Sequence, residues 1–268
     1  MFPTVKKAFG ILVMLFLIAP LAAILPLAFT SSALLTYPVP EWSMRWLTEL
    51  VTEPVWRRSI ANSLIIGGGT TVLATTLGTL AALGLRRYSS LFAGVLKTFF
   101  LLPMVVPAVV LGVGMQVFFV HVGIANSYLG VIVAHTVIAM PFVYVSVSGS
   151  LAGIDPRVEL AAASLGASPS TVLRTTTLPL SLSGILSGAV MAFATSLDEV
   201  ILTLFIAGPH QRTLARQMFS TIRENVSPAI AAAAFVFIVG TILVACLIML
   251  VRMRTGGTMQ KTVGPGIS

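Results

Sequence analysis

Two adjacent carboxylates, Asp198 and Glu199, follow a run from Thr175 to Leu197 that carries no Asp, Glu, Lys or Arg. Ionised groups within a bilayer are costly and are kept where they face a cavity, a partner or an ion path. They could serve here as the counter-charge for a cationic solute, as a gate or as a proton relay; helix packing or pairing at a subunit interface is the alternative. His135 and Gln116 are polar side chains in a second charge-free run, Thr98 to Ile154. Each could line the same path or hydrogen-bond one helix to another. Other chemistries are excluded. No GxxxxGK[ST] phosphate loop occurs anywhere, so this chain cannot hold ATP in that way, and energy must come from a partner or an ion gradient. The single cysteine, Cys246, rules out an intramolecular disulfide and a Cys-based zinc site. His135 among scattered serines has no spacing for a nucleophile and base, which weighs against an intramembrane enzyme.

The elements that must position these groups are membrane helices. Of 268 residues 57% are hydrophobic and 9% charged, with a mean hydropathy of +1.01, far from an average soluble domain, where roughly a quarter of residues are charged. Charge-free runs extend from Ala8 to Pro40, Ser59 to Leu85, Thr98 to Ile154, Thr175 to Leu197 and Asn225 to Val251. A bilayer core takes about 20 residues per helix. The Thr98 to Ile154 run would be roughly 85 Å long as one helix, so it must turn back, best at HVGIANS, His121 to Ser127. An all-α integral membrane protein with six spans follows, at about 10–34, 60–84, 97–120, 127–151, 182–206 and 229–251, forming a single membrane domain over 1–268. The first span is longer than the roughly 7–15 apolar residues of a signal-peptide core, which favours a retained helix.

With both termini cytoplasmic, Lys6, Lys7, Arg86, Arg87, Lys97, Arg157, Arg174, Arg252, Arg254 and Lys261 fall inside, against Arg45, Arg57, Arg58, Arg212, Arg216 and Arg223 outside. That balance agrees with the positive-inside rule and accounts for the net charge of +8 without nucleic acid, since the basic residues form no stripe with interleaved aromatics. The outer segment bearing Trp42, Trp46 and Trp56 has the composition of a headgroup-level anchor or of a docking face for a soluble partner. Leu214, Met218 and Ile222, four apart, predict a short amphipathic helix over the outer mouth, and Ser227 with Pro228 opens the last span. By helix rise, Asp198 stands roughly 20 Å above the cytoplasmic end of its span and His135 roughly 12 Å below the outer edge of its own. Gln116 lies at a comparable or shallower level. The three form one outer layer, expected to be a polar vestibule with Asp198 as counter-charge for an amine. Adjacent helical positions point about 100° apart, so at most one of Asp198 and Glu199 can aim straight at a central path. Pro103, Pro107 and Pro141 each remove a backbone donor and invite a kink, as gate elements or as ordinary membrane-helix prolines. Gly67, Gly68 and Gly69 favour close packing of span two.

Residues 153–180 then face the cytoplasm. Asp155 with Pro156 predicts a helix start, Gly166 its left-handed end, Ser168 with Pro169 a second start, and Leu178 with Pro179 the close of that second helix. Ala161, Ala162 and Ala163 offer little side-chain bulk, as a close-docking element or an ordinary interfacial loop would.

This hairpin, from Glu159 through Gly166 to Leu178 and Pro179, resembles the "EAA" loop of permease subunits in type I binding-protein-dependent ABC importers. The likeness extends from Ser59 to Val251 and is strongest to the C-type spermidine/putrescine permeases, in LLPMVVPAVVLGVG, DPRVELAAASLGAS, TTLPLSLSGILSG, SLDEVILTLFIAGP and NVSPAIAAAA. The resemblance implies a type I permease fold in the bacterial inner membrane, with a coupling helix between spans four and five. That helix would seat in an ATP-binding subunit through Glu159, Leu160, Ala161, Ala162, Leu165, Gly166 and Ala167. Aligned back from Gly166, however, the family's usual glutamate falls on Leu160, so Glu159 is off register and Gly166 and the alanines are the better docking residues. The resemblance further implies a homologous permease partner, two ATP-binding subunits carrying ATP and Mg, an external solute-binding protein, and a small amine such as putrescine or spermidine as cargo. Relatives that carry amino-acid derivatives, anions or metal complexes keep other substrates open. An ion-coupled carrier working alone is the competing class; six spans without an evident inverted repeat are few for it.

Overall fold

The computed structural model describes residues 2–86, 90–224 and 226–243. Among them the chain is helical, with one isolated bridge between Thr30 and Trp42 and no strand. In chain order the helices are α1 (Phe2–Ile24), α2 (Arg45–Thr52), α3 (Pro54–Leu85), α4 (Leu91–Leu101), α5 (Ala108–His121), α6 (Tyr128–Ala152), α7 (Pro156–Ser164), α8 (Pro169–Val172), α9 (Leu178–Asp198), α10 (Ile201–Ile206), α11 (Leu214–Glu224) and α12 (Ala229–Leu243). Among the described residues four helices are long and apolar enough to cross a bilayer: Val5–Phe29, Pro54–Leu85, Tyr128–Ala152 and Pro169–Asp198. The pair Leu91–Met104 and Ala108–His121 makes a fifth if its halves count as one span. Residues 244–251 of the last expected span lie outside the described residues, as do Arg87, Cys246, Arg252, Arg254 and Lys261.

Several expected boundaries hold. α6 matches the fourth expected span within a residue at each end, and its start is fixed by Ser127, whose hydroxyl accepts the Gly130 N–H at 3.0 Å. The turn before it uses Gly123 and Asn126, both at positive φ. α11 forms where the Leu214, Met218, Ile222 spacing places it, with Leu214 buried and Ile222 exposed. At the start of α12 the Ser227 hydroxyl accepts the Ala229 N–H at 3.1 Å.

Four expectations require correction. The first expected span reaches Leu34, but α1 ends at Ile24 and a 3₁₀ segment, Leu25–Phe29, ends the helical stretch after Pro26. The third is not one kinked helix: its halves are bent by 102°. Pro103 sits in a 3₁₀ turn and Pro107 caps α5, and two prolines four apart remove two donors and disfavour helix at the residues before them. Pro141, in contrast, is buried inside an uninterrupted α6. The second hairpin helix does not close at Leu178 and Pro179. A π-turn over Leu173–Thr177 joins α8 to α9 in one continuous stretch from Pro169 to Asp198. The π-turn adds a residue to the helical ring ahead of the proline, whose missing N–H then falls at the second position of the new segment. The Trp segment, finally, is not simply an interfacial belt: Trp46 and Trp56 are buried and Trp42 is exposed.

The described residues divide into two units, 2–60 with 217–243, and 61–216. In the first, the Trp46 indole donates to the Ser32 carbonyl at 3.0 Å, and Phe29 meets Phe235 edge-on. In the second, α6 and α9 form the central pair. The buried face of α9 is Ser181, Gly184, Gly188, Ala192 and Ser196, a stripe of small residues at helical spacing that lets α6 approach closely. A Cβ on Gly184 would collide with the Ser150 Cβ, and the Ser146 hydroxyl donates to the Gly184 carbonyl at 2.9 Å. Val143, Val147, Leu151 and Ala139 continue this core toward Ala74 and Ala82 of α3. A second cluster joins Ile66, Phe119, Val131 and Ala134 to Leu202 and Ile206 of α10. Of the glycine triplet, Gly67 faces Phe193 and Gly69 faces Ile132, whereas Gly68 meets nothing, so two of the three serve packing.

Candidate functional site

The expected fifth span, 182–206, is broken where its carboxylates lie. α9 ends at Asp198, Glu199 is extended (φ −76°, ψ 113°), and α10 begins at Ile201. A helix start has N–H groups without carbonyl partners and favours an acid beside them. Glu199 fills that role, its Oε1 accepting the Leu202 N–H at 2.8 Å. Asp198 is exposed, and among the described residues its side chain has no hydrogen bond or ion pair. The break therefore divides the two carboxylates more sharply than helical rotation would, committing one to the backbone and leaving the other open.

His135 is fully buried. Its Nδ1 lies 2.9 Å from the Ser196 hydroxyl and its Nε2 3.0 Å from the Thr203 hydroxyl. It pins α6 to both sides of the break, before it through Ser196 and after it through Thr203, and Thr203 also donates to the Glu199 carbonyl at 3.1 Å. Gln116 is half-buried; its Oε1 has no partner among the described residues, and no hydrogen bond joins it to His135, Asp198 or Glu199. The expected layer of three thus resolves into a packing pin, an open carboxylate and a separate amide, with Glu199 as a cap beside them.

Sequence reasoning missed the residues that hold α10. Arg216 donates from Nη1 to the Thr203 carbonyl at 3.0 Å and to the Ala207 carbonyl at 2.7 Å, a cation at a helix C-terminus. Burial, with the Arg212 charge beside it, lowers its pKa from the ordinary guanidinium value. Asn62 donates to the His210 and Arg212 carbonyls at 2.8 and 2.9 Å while accepting the Tyr128 hydroxyl at 2.7 Å. The available signal is weak: Ser196 and Thr203 bracket the carboxylates seven positions apart, a spacing that would read as one face of a continuous helix and so gives no sign of the break between them.

At the other end of α9 the hairpin's two start signals and its glycine joint form as predicted, although the second helix does not close at Leu178 and Pro179. Asp155 Oδ1 accepts the Arg157 N–H at 2.9 Å, with Pro156 at the first helical position of α7. Gly166 adopts φ +86°. The Ala167 N–H reaches the Ala162 carbonyl and the Gly166 N–H reaches the Ala163 carbonyl, the paired bonds of a Schellman end. Ser168 caps α8 by accepting the Thr171 N–H at 3.3 Å. On α7 and its end, Leu160 is 65% and Leu165 90% exposed; Ala161, Gly166 and the half-buried Ala162 and Ala167 complete an apolar, low-relief surface. Glu159 points the other way. It is buried, bonded to Arg86 at 2.6 Å and to the Thr177 hydroxyl at 2.7 Å. It borders a cavity of about 860 Å³ lined by Leu80, Leu83, Ala163 and Val172.

Residues 74–255 match the family described as binding-protein-dependent transport system inner membrane component. The chain is 33% identical over 244 residues to the putrescine transport system permease protein PotI of Escherichia coli strain K12, with 87% of this chain and 86% of that one covered. It is 30% identical over 213 residues to the spermidine/putrescine transport system permease protein PotC of Haemophilus influenzae, covering 80% and 83%. Its fold is similar to that of a chain in the crystal structure of a bacterial ABC transporter that imports alginate, with a TM-score of 0.69 at 16% identity over 95% of this chain and 97% of that one. An all-helical body with several bilayer-length apolar helices, a small-residue helix pair and an exposed hairpin thus accompanies a family match over most of the chain, and the protein belongs to the binding-protein-dependent transport system inner membrane components, the permease subunits of ABC importers.

Proposed function

We propose that this chain forms half of the translocation path for a small cationic solute, a polyamine of the putrescine or spermidine class. The carrying observation is Asp198, an exposed carboxylate without a side-chain partner among the described residues, at the break between α9 and α10. A free carboxylate at a helix break inside an apolar span suits an ammonium group and disfavours an anion. Similarity to putrescine and spermidine/putrescine permeases supports the same class of cargo. In this reading the chain is one permease domain of six spans, the bent pair α4–α5 being the third and α12 with the residues after it the sixth. Both termini are cytoplasmic. Residues 153–180 are the coupling element, with Leu160, Ala161, Ala162, Leu165, Gly166 and Ala167 forming the surface that seats in an ATP-binding subunit. Two such subunits hold ATP and Mg, a homologous permease supplies the other half of the path, and an external solute-binding protein delivers the cargo. His135 positions the break, Gln116 lines the path above it, and the α4–α5 bend at Pro103 and Pro107 gives that span a flexible joint.

The test is uptake of labelled putrescine by the assembled transporter in proteoliposomes. Asp198→Asn should lower uptake tenfold or more, about the 1.5–3 kcal/mol of a hydrogen bond to a charged group. Undiminished uptake with normal assembly would remove Asp198 from the path.

A further inference from the structure

On α7, Glu159 is 9% exposed while its neighbour Leu160 is 65% exposed, so the carboxylate and the apolar docking surface occupy different faces of one short helix. A single oxygen, Oε1, receives Arg86 Nη1 at 2.6 Å and the Thr177 hydroxyl at 2.7 Å. Arg86 immediately follows the last residue of α3, and its Nη2 reaches toward the Ile154 carbonyl at 3.5 Å. Thr177 closes the π-turn that leads without interruption into α9. The side chains of the ion pair are 19% and 10% exposed, too little for water to screen them as it does a surface pair. One carboxylate oxygen therefore ties together the ends of α3, α7 and α9, and α9 ends at Asp198.

We infer that Glu159 is an internal strut of the hairpin and not a docking acid: Arg86, Glu159 and Thr177 lock α7 to α3 and α9, so that displacement of α7 is delivered to the helix that carries Asp198. The inference rests on the reading of α7 as the coupling helix. Its three side chains are positioning residues. The π-turn that Thr177 closes agrees with a mechanical role, because such single turns inside α-helices are rare yet frequent at functional sites. Without the strut, α7 would still dock through Leu160 and Leu165, but its movement would be absorbed between α7 and α9.

The experiment measures ATP hydrolysis and putrescine uptake together in the complete reconstituted transporter. Glu159→Gln and Thr177→Val should leave the ATP-binding subunits co-purifying as in the parent while raising ATP consumed per solute moved by roughly threefold to tenfold. Thr177→Ser, which keeps the hydroxyl, should restore the parent ratio, and the exchanged pair Arg86→Glu with Glu159→Arg should recover a substantial part of it. An unchanged ratio in both Glu159→Gln and Thr177→Val overturns the inference. So does loss of the ATP-binding subunits from Glu159→Gln, which would make Glu159 a docking acid after all. If the charge variants fail to insert, the Thr177→Val and Thr177→Ser pair decides alone. Leu165→Asp is the control for the underlying reading: it should strip the ATP-binding subunits from the complex, and their retention would sink the coupling role of α7 whatever the strut does.

Discussion

The two ends of α9 each have a pair of polar elements and treat them in opposite ways. At the hairpin end the helix passes through a π-turn without a break, and Glu159 is closed off by Arg86 and Thr177. At the other end the helix stops, Glu199 is used to cap α10, and Asp198 stays exposed. The difference separates carboxylates that hold the fold from one without a partner among the described residues. Burial and partners make that distinction, and residue type does not: Glu159 and Asp198 look equally functional as letters, yet one is enclosed by a guanidinium and a hydroxyl and the other has nothing to lose by meeting an ammonium.

The broken end should yield most to removal of its pin. His135→Ala removes the imidazole from between the buried Ser196 and Thr203 hydroxyls and leaves Ser196 without its partner, while Thr203 keeps the Glu199 carbonyl. The expected loss is about 1–3 kcal/mol for an unsatisfied buried group, read as a lower midpoint in thermal unfolding of the detergent-solubilised chain. If stability holds while uptake falls, His135 belongs with Asp198 on the path and the separation of pin from open carboxylate fails. At the hairpin end, Gly166→Val places a β-branched residue at φ +86°, at a cost of about 1–2 kcal/mol. The Schellman end should loosen, with faster amide exchange at Gly166 and Ala167 and no change at Leu202. Equal change at both ends would show that the two are not independent. Glu199→Gln should have the smallest effect. The amide oxygen still accepts the Leu202 N–H and only the charge at the helix start is lost, about 0.3–1 kcal/mol. Uptake should fall far less than in Asp198→Asn; equal falls would mean that both carboxylates meet the solute.

Much of this architecture is legible in the letters because local chemistry decides it. Asp155 with Pro156, Gly166, and Ser168 with Pro169 are punctuation whose partners lie within four residues, and all three form as expected. The register of α6 follows from the Ser127 cap and the apolar run after it. What stays hidden depends on distant partners or on how the chain absorbs a proline. Pro103 and Pro107 announce missing donors but not a 102° bend, and Pro141 carries the same signature in a helix that does not break. Leu178 with Pro179 reads as the close of the second hairpin helix; only the π-turn before them shows that the helix continues. His135 finds its partners 61 and 68 residues along the chain, a distance at which no spacing rule operates. The shift of Glu159 off the family register is visible in the letters, but its meaning emerges only when Arg86 is placed against it.

The central claim is that this chain moves a cationic solute with work received from an ATP-binding subunit. It is tested most directly by proteoliposomes containing the chain and its permease partner, supplied from outside with the solute-binding protein and labelled putrescine, with and without the ATP-binding subunits. Uptake is predicted only with those subunits and ATP present, and is lowered tenfold or more in Asp198→Asn. Uptake driven by an ion gradient in their absence would contradict the account.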